Sequence, residues 1–336
     1  MRHFIIVGIL VIVAAVGTYF GLDALRLMPV AASAQAVPID WMWNWQVIAM
    51  SFLFALIVVP LVYALAVFRR KKGDTSDAEH IEGNTPLEIA WTVVPLIAVV
   101  TFAYMGAWSL RETRRADPGA MIVKVHAAQF AWSFEYPEYD GILSDTLYMP
   151  AGRQVLLQMD SKDVIHSFWV PEFRVKQDVV PGRVTELRVT PTLPGSYKVR
   201  CAELCGTNHY SMENQVVVTS EAEFAAWAQE QQAALAGTDS TPEQRGEALA
   251  KANGCLGCHS VTSSALPTAP TWFGLFDSTV ALEDGSNVTA DEAFLKESIV
   301  NPLAKIVKGY APIMLTYSNL TEDEIAAIIA YIQTLK

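Results

Sequence analysis

Three stretches of this chain, 3–22, 45–68 and 89–110, contain no Asp, Glu, Lys or Arg. Each is roughly 20 residues or slightly more, which is what a helix needs to cross a hydrocarbon core. No other feature restricts the fold so strongly. In lipid every backbone N–H and C=O must find a partner inside the protein, and an apolar run of this length meets that demand as a helix. Pro60 and Pro95 fall inside two of the runs, where membrane helices tolerate proline better than soluble ones do. The chain is 336 residues long and 52% hydrophobic, with a mean hydropathy of +0.26. That apolar excess is concentrated in the first third, so residues 1–118 read as a membrane anchor and the remainder as water-soluble domains.

The most informative local motif is the stretch from Cys201 to Met212, Cys-Ala-Glu-Leu-Cys-Gly-Thr-Asn-His-Tyr-Ser-Met. It offers two thiols (Cys201, Cys205), an imidazole (His209) and a thioether (Met212), and His166 lies upstream. Soft sulfur with imidazole selects copper, zinc or iron–sulfur centres over magnesium or calcium. The arrangement of this loop is not the usual zinc pattern of paired short-spaced cysteines. A mononuclear blue-copper site needs one cysteine, two histidines and a weak axial methionine. A second cysteine has been added to that set here. Two thiolates can bridge two copper ions, each ion keeping one histidine and one weak axial ligand, and this describes a binuclear electron-transfer centre.

A second redox signature follows at Cys255-Leu-Gly-Cys258-His259. This is the attachment sequence of a c-type haem, with two thioethers and one axial histidine. Met314 lies 55 residues after His259, a separation suited to a small cytochrome c fold, and His/Met ligation raises the reduction potential. The two motifs consume all four cysteines, which leaves none for disulfides.

The copper-type loop, with His166-Ser-Phe-Trp-Val-Pro and Asp178-Val-Val-Pro-Gly-Arg183, resembles subunit II of haem–copper cytochrome c oxidases. The resemblance runs nearly the whole chain and, with the haem motif, points to the caa3 type. It implies a binuclear copper centre, CuA, with Cys201 and Cys205 bridging and His166 and His209 terminal. Met212 and the backbone carbonyl of Glu203 would be the axial ligands. In this family the Glu203 side chain also reaches a magnesium ion at the interface with subunit I. Electrons would pass from an external donor, such as a soluble cytochrome c, through the haem to the copper pair. They would go on to the haem–copper centre of subunit I, where oxygen is reduced with proton translocation. Subunits I and III and membrane lipid are the implied partners, and no nucleic acid is expected. The runner-up is a membrane-anchored CuA and haem c subunit of another reductase, such as a nitric oxide reductase.

Orientation follows from charge and chemistry together. Arg69-Arg-Lys-Lys72 follows the second run, whereas 21–44 carries one basic residue, Arg26. The positive-inside rule puts 69–88 in the cytoplasm. Haem attachment outside the cytoplasm places the soluble domains on the periplasmic face of a prokaryotic cytoplasmic membrane. The first run admits a signal peptide, since Ala32-Ser-Ala34 and Ala34-Gln-Ala36 resemble cleavage sites. Those sites lie far past the apolar segment, and a retained helix is the favoured reading. Glu88 opens the third run. A carboxylate there is an ordinary helix-end residue, but the resemblance places a matching glutamate at the entrance of a proton channel into subunit I.

Residues 119–220 alternate or are rich in β-branched side chains in 121–126, 153–158, 184–189 and 214–219. Gly, Pro and Asp clusters separate these strands, which predicts an all-β sandwich; the resemblance makes it a cupredoxin-like Greek key. Asp178 is a candidate carboxylate for the far side of a ligand histidine. His126 reads as a satisfied strand residue. Residues 221–240 read as a short helix running into a polar linker. Residues 241–336 resemble an all-α class I cytochrome c, with capped helices at Thr241 and Thr321. This segment has eleven acidic and six basic residues, which favours a basic donor. One departure from the family stands out. Many members carry Gln-Trp-Tyr-Trp where this chain has Gln129-Phe130-Ala131-Trp132. The tryptophan that receives electrons from a soluble donor is thereby replaced, and a haem domain on the same chain supplies a reason.

Overall fold

Three long helices open the chain in a computed structural model, which describes all residues except 71, 78, 79, 81, 237–240, 265, 267, 318 and 319. They are α1 (Arg2–Ala24), α2 (Ala36–Val67) and α3 (Thr85–Thr113), and each is long and apolar enough to cross a membrane. Tyr19 donates to Asn44 at 2.8 Å and His3 meets the Tyr63 hydroxyl at 2.7 Å, so α1 and α2 run antiparallel. Such polar contacts hold apolar helices together where no hydrophobic force separates helix from lipid. Trp41 and Trp108 meet edge to face at 5.5 Å between α2 and α3. The helices extend beyond the charge-free runs, most of all at the start of α2. Helical hydrogen bonding continues through the interfacial zone, where Asp40 and the tryptophans at 41, 43 and 45 are at home. Lys71 of the basic cluster and residues 237–240 of the expected linker lie outside the described residues.

The second compact unit comprises Ala32–Ala34 and Ala116–Lys336. Its first half contains β1 (Met121–Ala128), β2 (Ala131–Tyr136), β3 (Ile142–Ser144), β4 (Leu147–Pro150) and β5 (Val155–Ser161). It continues with β6 (His166–Trp169), β7 (Lys176–Val179), β8 (Thr185–Val189), β9 (Gly195–Cys201) and β10 (Glu213–Thr219). They form two five-stranded sheets in the orders β3-β2-β1-β5-β8 and β4-β10-β9-β6-β7. The pairs β1–β5 and β10–β4 are parallel and the other neighbours antiparallel. This is the cupredoxin-like sandwich. Alternate residues of β1 and β2 point inward, so Val123, Val125, Trp132, Phe134 and Tyr136 are buried between the sheets. Burying each large side chain stabilises by about 1.5–3 kcal/mol before chain entropy is subtracted.

Helix α4 (Glu221–Ala236), the short helix read from sequence ahead of a polar linker, is docked on the sandwich. Phe224 is fully buried and Trp227 stacks on Tyr148 with centroids 4.3 Å apart. The helical half then follows with α5 (Pro242–Ala252), the hairpin β11 (Thr279–Ala281) and β12 (Asn287–Thr289), α6 (Glu292–Val300) and α7 (Glu322–Thr334). Thr241 and Thr321 close capping boxes with Gln244 and Glu324, which satisfy the otherwise free N–H groups at those helix ends. The terminal helices α5 and α7 cross at Gly246. A Cβ there would sit 1.9 Å from the carbonyl oxygen of Ala327, so only glycine allows the backbones this close. Leu295, Ile299, Ile325, Ile328 and Ile332 form the core beneath that crossing.

Candidate metal centre and haem cavity

Strand β6 delivers His166, and the loop between β9 and β10 delivers everything from Cys201 to Met212. Phe168 of β6 pairs with Cys201 of β9, so the sheet register brings the distant histidine to the loop. The ligand atoms of His166, Cys201 and Cys205 all lie within 4.8 Å of one another. The two Sγ atoms are 3.8 Å apart. His166 Nδ1 sits 3.8 Å from Cys201 Sγ, and His209 Nδ1 sits 3.6 Å from Cys205 Sγ. Met212 Sδ is 3.7 Å from Cys205, and the Glu203 carbonyl oxygen is 3.1 Å from Cys201. Each imidazole thus attends one sulfur, and each sulfur has one weak donor beside it. The Glu203 side chain is exposed, whereas Cys201, Cys205 and Met212 are buried.

The donor spacing fits a pair of soft ions. Metal–sulfur bonds of about 2.3 Å allow one ion to touch both thiolates across a gap of this size. Electrostatics favours the same outcome. Burial pushes the Cys201 thiol up, but hydrogen bonds from the His166 ring and from backbone at Glu203 and Ser167 outweigh it and bring it down to about 6. Burial and the neighbouring Cys201 charge push Cys205 up to about 12. One thiolate forms readily and opposes the second, so a cation held between them relieves both.

The far ring nitrogen of His166, Nε2, meets Asp163 Oδ1 at 2.8 Å. Asp163 is itself held by the backbone N–H groups of Gln129 (2.7 Å) and Val164 (2.6 Å). This carboxylate fixes the ring and leaves Nδ1 for a metal. Burial lowers the pKa of His166, but its hydrogen bonds to Asp163 and Cys201, with their charges, outweigh it and the net shift is upward. Asp178 does not touch the ring: it accepts from Ser167 Oγ at 2.8 Å. Sequence reasoning missed Asp163, although an acid three residues before the ligand was a readable signal. Trp132 walls the ring at 6.0 Å between centroids. His126 is satisfied on both nitrogens, by Asp160 at 2.6 Å and Glu135 at 3.2 Å.

In the helical half, Cys255, Cys258, His259 and Met314 line one cavity, with an empty volume of about 1530 Å³ counting its open mouth. His259 Nδ1 donates to the Pro270 carbonyl at 2.8 Å, which orients the ring and leaves Nε2 for an axial bond. Trp272 stacks on the ring at 5.0 Å. Burial lowers the pKa of His259, keeping it in the neutral form that ligates, and pushes Cys255 up to about 12. Leu315 packs beside Met314 against the core. The chemistry and size of this cavity fit a haem bound by two sulfurs.

Glu88 lies elsewhere, in the first turn of α3. Its carboxylate accepts from the Asn84 N–H at 3.1 Å while Asn84 accepts from Leu87 at 3.2 Å. It is exposed and closes the helix end.

Together these features define a class: a membrane-anchored chain joining a cupredoxin-like domain to a cytochrome c domain. Residues 17–111 match the family described as cytochrome c oxidase subunit II, transmembrane domain. Residues 143–220 match its periplasmic domain, and residues 243–336 match cytochrome c. The chain is 35% identical over 264 residues to "Cytochrome c oxidase subunit 2" of Synechocystis, covering 65% of this chain and 79% of the relative. It is 30% identical over 306 residues to the protein of that name from Alkalihalophilus pseudofirmus, covering 88% and 87%. The Bacillus subtilis relative is 31% identical over 297 residues, covering 82% of each chain. The chain belongs to the cytochrome c oxidase subunit 2 family and carries a fused cytochrome c domain.

Proposed function

We propose that this chain is the electron-input subunit of an oxygen-reducing haem–copper oxidase of the caa3 type. It would take electrons from an external donor through a covalent haem c to a binuclear copper centre and pass them to subunit I. The observation that carries this reading is the ring of facing donors, Cys201, Cys205, His166, His209 and Met212, at 3.6–3.8 Å spacings. When bound, the copper pair and the haem would each accept and release one electron.

The chain's own residues hold those groups and set their surroundings. Cys201, Cys205, His166 and His209 would hold the copper pair, with Met212 and the Glu203 carbonyl as weaker donors beside them. Weak axial ligands and buried thiolates tune the potential of such sites. Asp163 keeps the His166 ring in register. Cys255 and Cys258 would anchor the haem, His259 and Met314 would hold its iron, and the largely apolar cavity wall would limit water. The exposed Glu203 carboxylate would share a magnesium ion with subunit I. Glu88 would stand at the cytoplasmic entrance of a proton path, its carboxylate at an exposed helix end where it can meet both water and a neighbouring subunit. With the soluble domains on the outer face of a prokaryotic cytoplasmic membrane, electrons arrive from one side and protons from the other.

The test is purification from native membranes in mild detergent, followed by metal analysis and a reduced-minus-oxidised spectrum. Bands of haem A beside those of haem c, with copper in excess of subunit I needs, are the expected result. Haem c and copper accompanied only by haem b would replace this reading with that of a different reductase.

A further inference from the structure

The sandwich and the helical half touch where α5 nears β3 and at the turn between β1 and β2, and the residues at that turn explain the departure noted at Phe130 and Ala131. The backbone of the haem-attachment segment lies directly on the turn between β1 and β2. A Cβ built on Gly257 would stand 2.9 Å from Ala131 Cβ and 3.5 Å from the Phe130 carbonyl oxygen, and one built on Gly254 would stand 3.1 Å from Ala131 Cβ. Neither face has room for a larger side chain. Gln129 is held from both sides. Its carbonyl oxygen lies 3.6 Å from Cys258 Sγ, its side-chain amide donates to the Cys205 carbonyl at 2.5 Å, and its backbone N–H donates to Asp163. As a thiol Cys258 Sγ donates to that carbonyl; in a haem thioether the same atom has no proton, and the contact becomes one of packing. A second contact supports the joint, with the Lys162 ammonium 5.7 Å from the centre of the Tyr317 ring, a cation–π geometry. The sandwich also supplies part of the cavity wall, including His126, Gln129, Ala131 and Trp132.

We infer that the β1–β2 turn is a docking face for the chain's own haem-attachment segment, fitted by Ala131 against Gly254 and Gly257, and closed to external donors. Phe130 is only 5% exposed, so the position where relatives present a surface aromatic is covered. An external donor must then reach the haem through the part of the cavity rim the sandwich leaves open, where Leu303 is 60% and Ile313 38% exposed. This inference rests on the reading of the two cofactor sites given above, but its test does not.

The test is hydrogen–deuterium exchange on the full chain in detergent, comparing wild type with Gly257→Val and Ala131→Trp. The first acts from the haem side and the second from the sandwich side. Gly257 does not have a left-handed φ, so its substitution perturbs packing and not backbone strain. Copper and haem absorbance report whether each half still holds its group. Docking predicts that either variant raises exchange about tenfold or more in both 129–132 and 253–258. Unchanged exchange, or a rise confined to the substituted side, would overturn it. If Ala131→Trp loses the copper signature, Gly257→Val and the milder Gly257→Ala decide the question. Absence of copper or haem from the wild type would count against the cofactor reading and leave the exchange result valid.

Discussion

Five of the six proposed copper donors come from one segment, Cys201–Met212, whereas the proposed haem donors are spread from Cys255 to Met314. The copper loop is braced locally: β-sheet register fixes its base and Asp163 fixes the one donor that comes from outside. The haem cavity is braced by distant parts of the chain, through the α5–α7 crossing, the core beneath it and a wall taken from the sandwich. A site of the first kind tolerates loosening elsewhere and fails when one donor changes. A site of the second kind tolerates single wall changes and fails when the helices that frame it move.

The sharpest test is Cys201→Ser, which removes a bridging thiolate. The binuclear copper absorbance should disappear while haem absorbance and thermal unfolding of the helical half stay as in wild type. Parallel loss of both would break the distinction. Next is Gly246→Ala, which forces a Cβ into the Ala327 carbonyl. Overpacking of this kind costs about 1–3 kcal/mol, occasionally more. The unfolding transition followed through the haem should drop, with copper absorbance unaltered below it. Asp163→Asn should weaken copper retention by about 10–100-fold, read by competition with a chelator, and leave the haem untouched.

The smallest effect concerns pH. The hydrogen bond that His126 donates to Asp160 raises its pKa against the opposing effect of burial, with the charges of Asp160 and Glu135 adding to the rise. Its charged form therefore stabilises the folded sandwich. That contribution is complete below the ordinary histidine value of about 6.5 and disappears as pH rises through the elevated folded value. Melting temperature should decline from pH 6 to pH 9 more steeply in wild type than in His126→Gln. Equal slopes would show that the cluster of His126, Asp160 and Glu135 contributes nothing to this dependence.

How much of this was legible in sequence depended on how local the cause was. Cys201, Cys205, His209 and Met212 could be read because one loop carries them at fixed spacing. The membrane helices could be read because their apolar runs outlast any soluble helix face, though their ends could not, since backbone hydrogen bonding continues past the lipid core. Short strands such as β6 and β7 gave little periodicity to find. Asp178 and Asp163 were equally acidic in the sequence, and only the fold decides that the second meets His166. The helix at the start of 221–240 could be read, but its docking could not, because nothing local says that Phe224 and Trp227 have a sandwich face to cover. The fit of Ala131 to Gly257 is a matter of space between distant segments, which no spacing encodes.

The piece Ala32–Ala34 belongs with the sandwich and not with the helices on either side of it in sequence. Ala32 and Ser33 are almost fully buried, and the backbone is hydrogen-bonded to Glu172 on one side and to Thr190 and Thr192 on the other. Those residues include the alanines that resemble a leader-peptidase recognition site. A protease must draw its substrate out as a free extended strand, and this strand is already paired. Any trimming at Ala34 is therefore a race with folding, because in the finished sandwich the Ala34 N–H is already bonded to the Thr190 carbonyl.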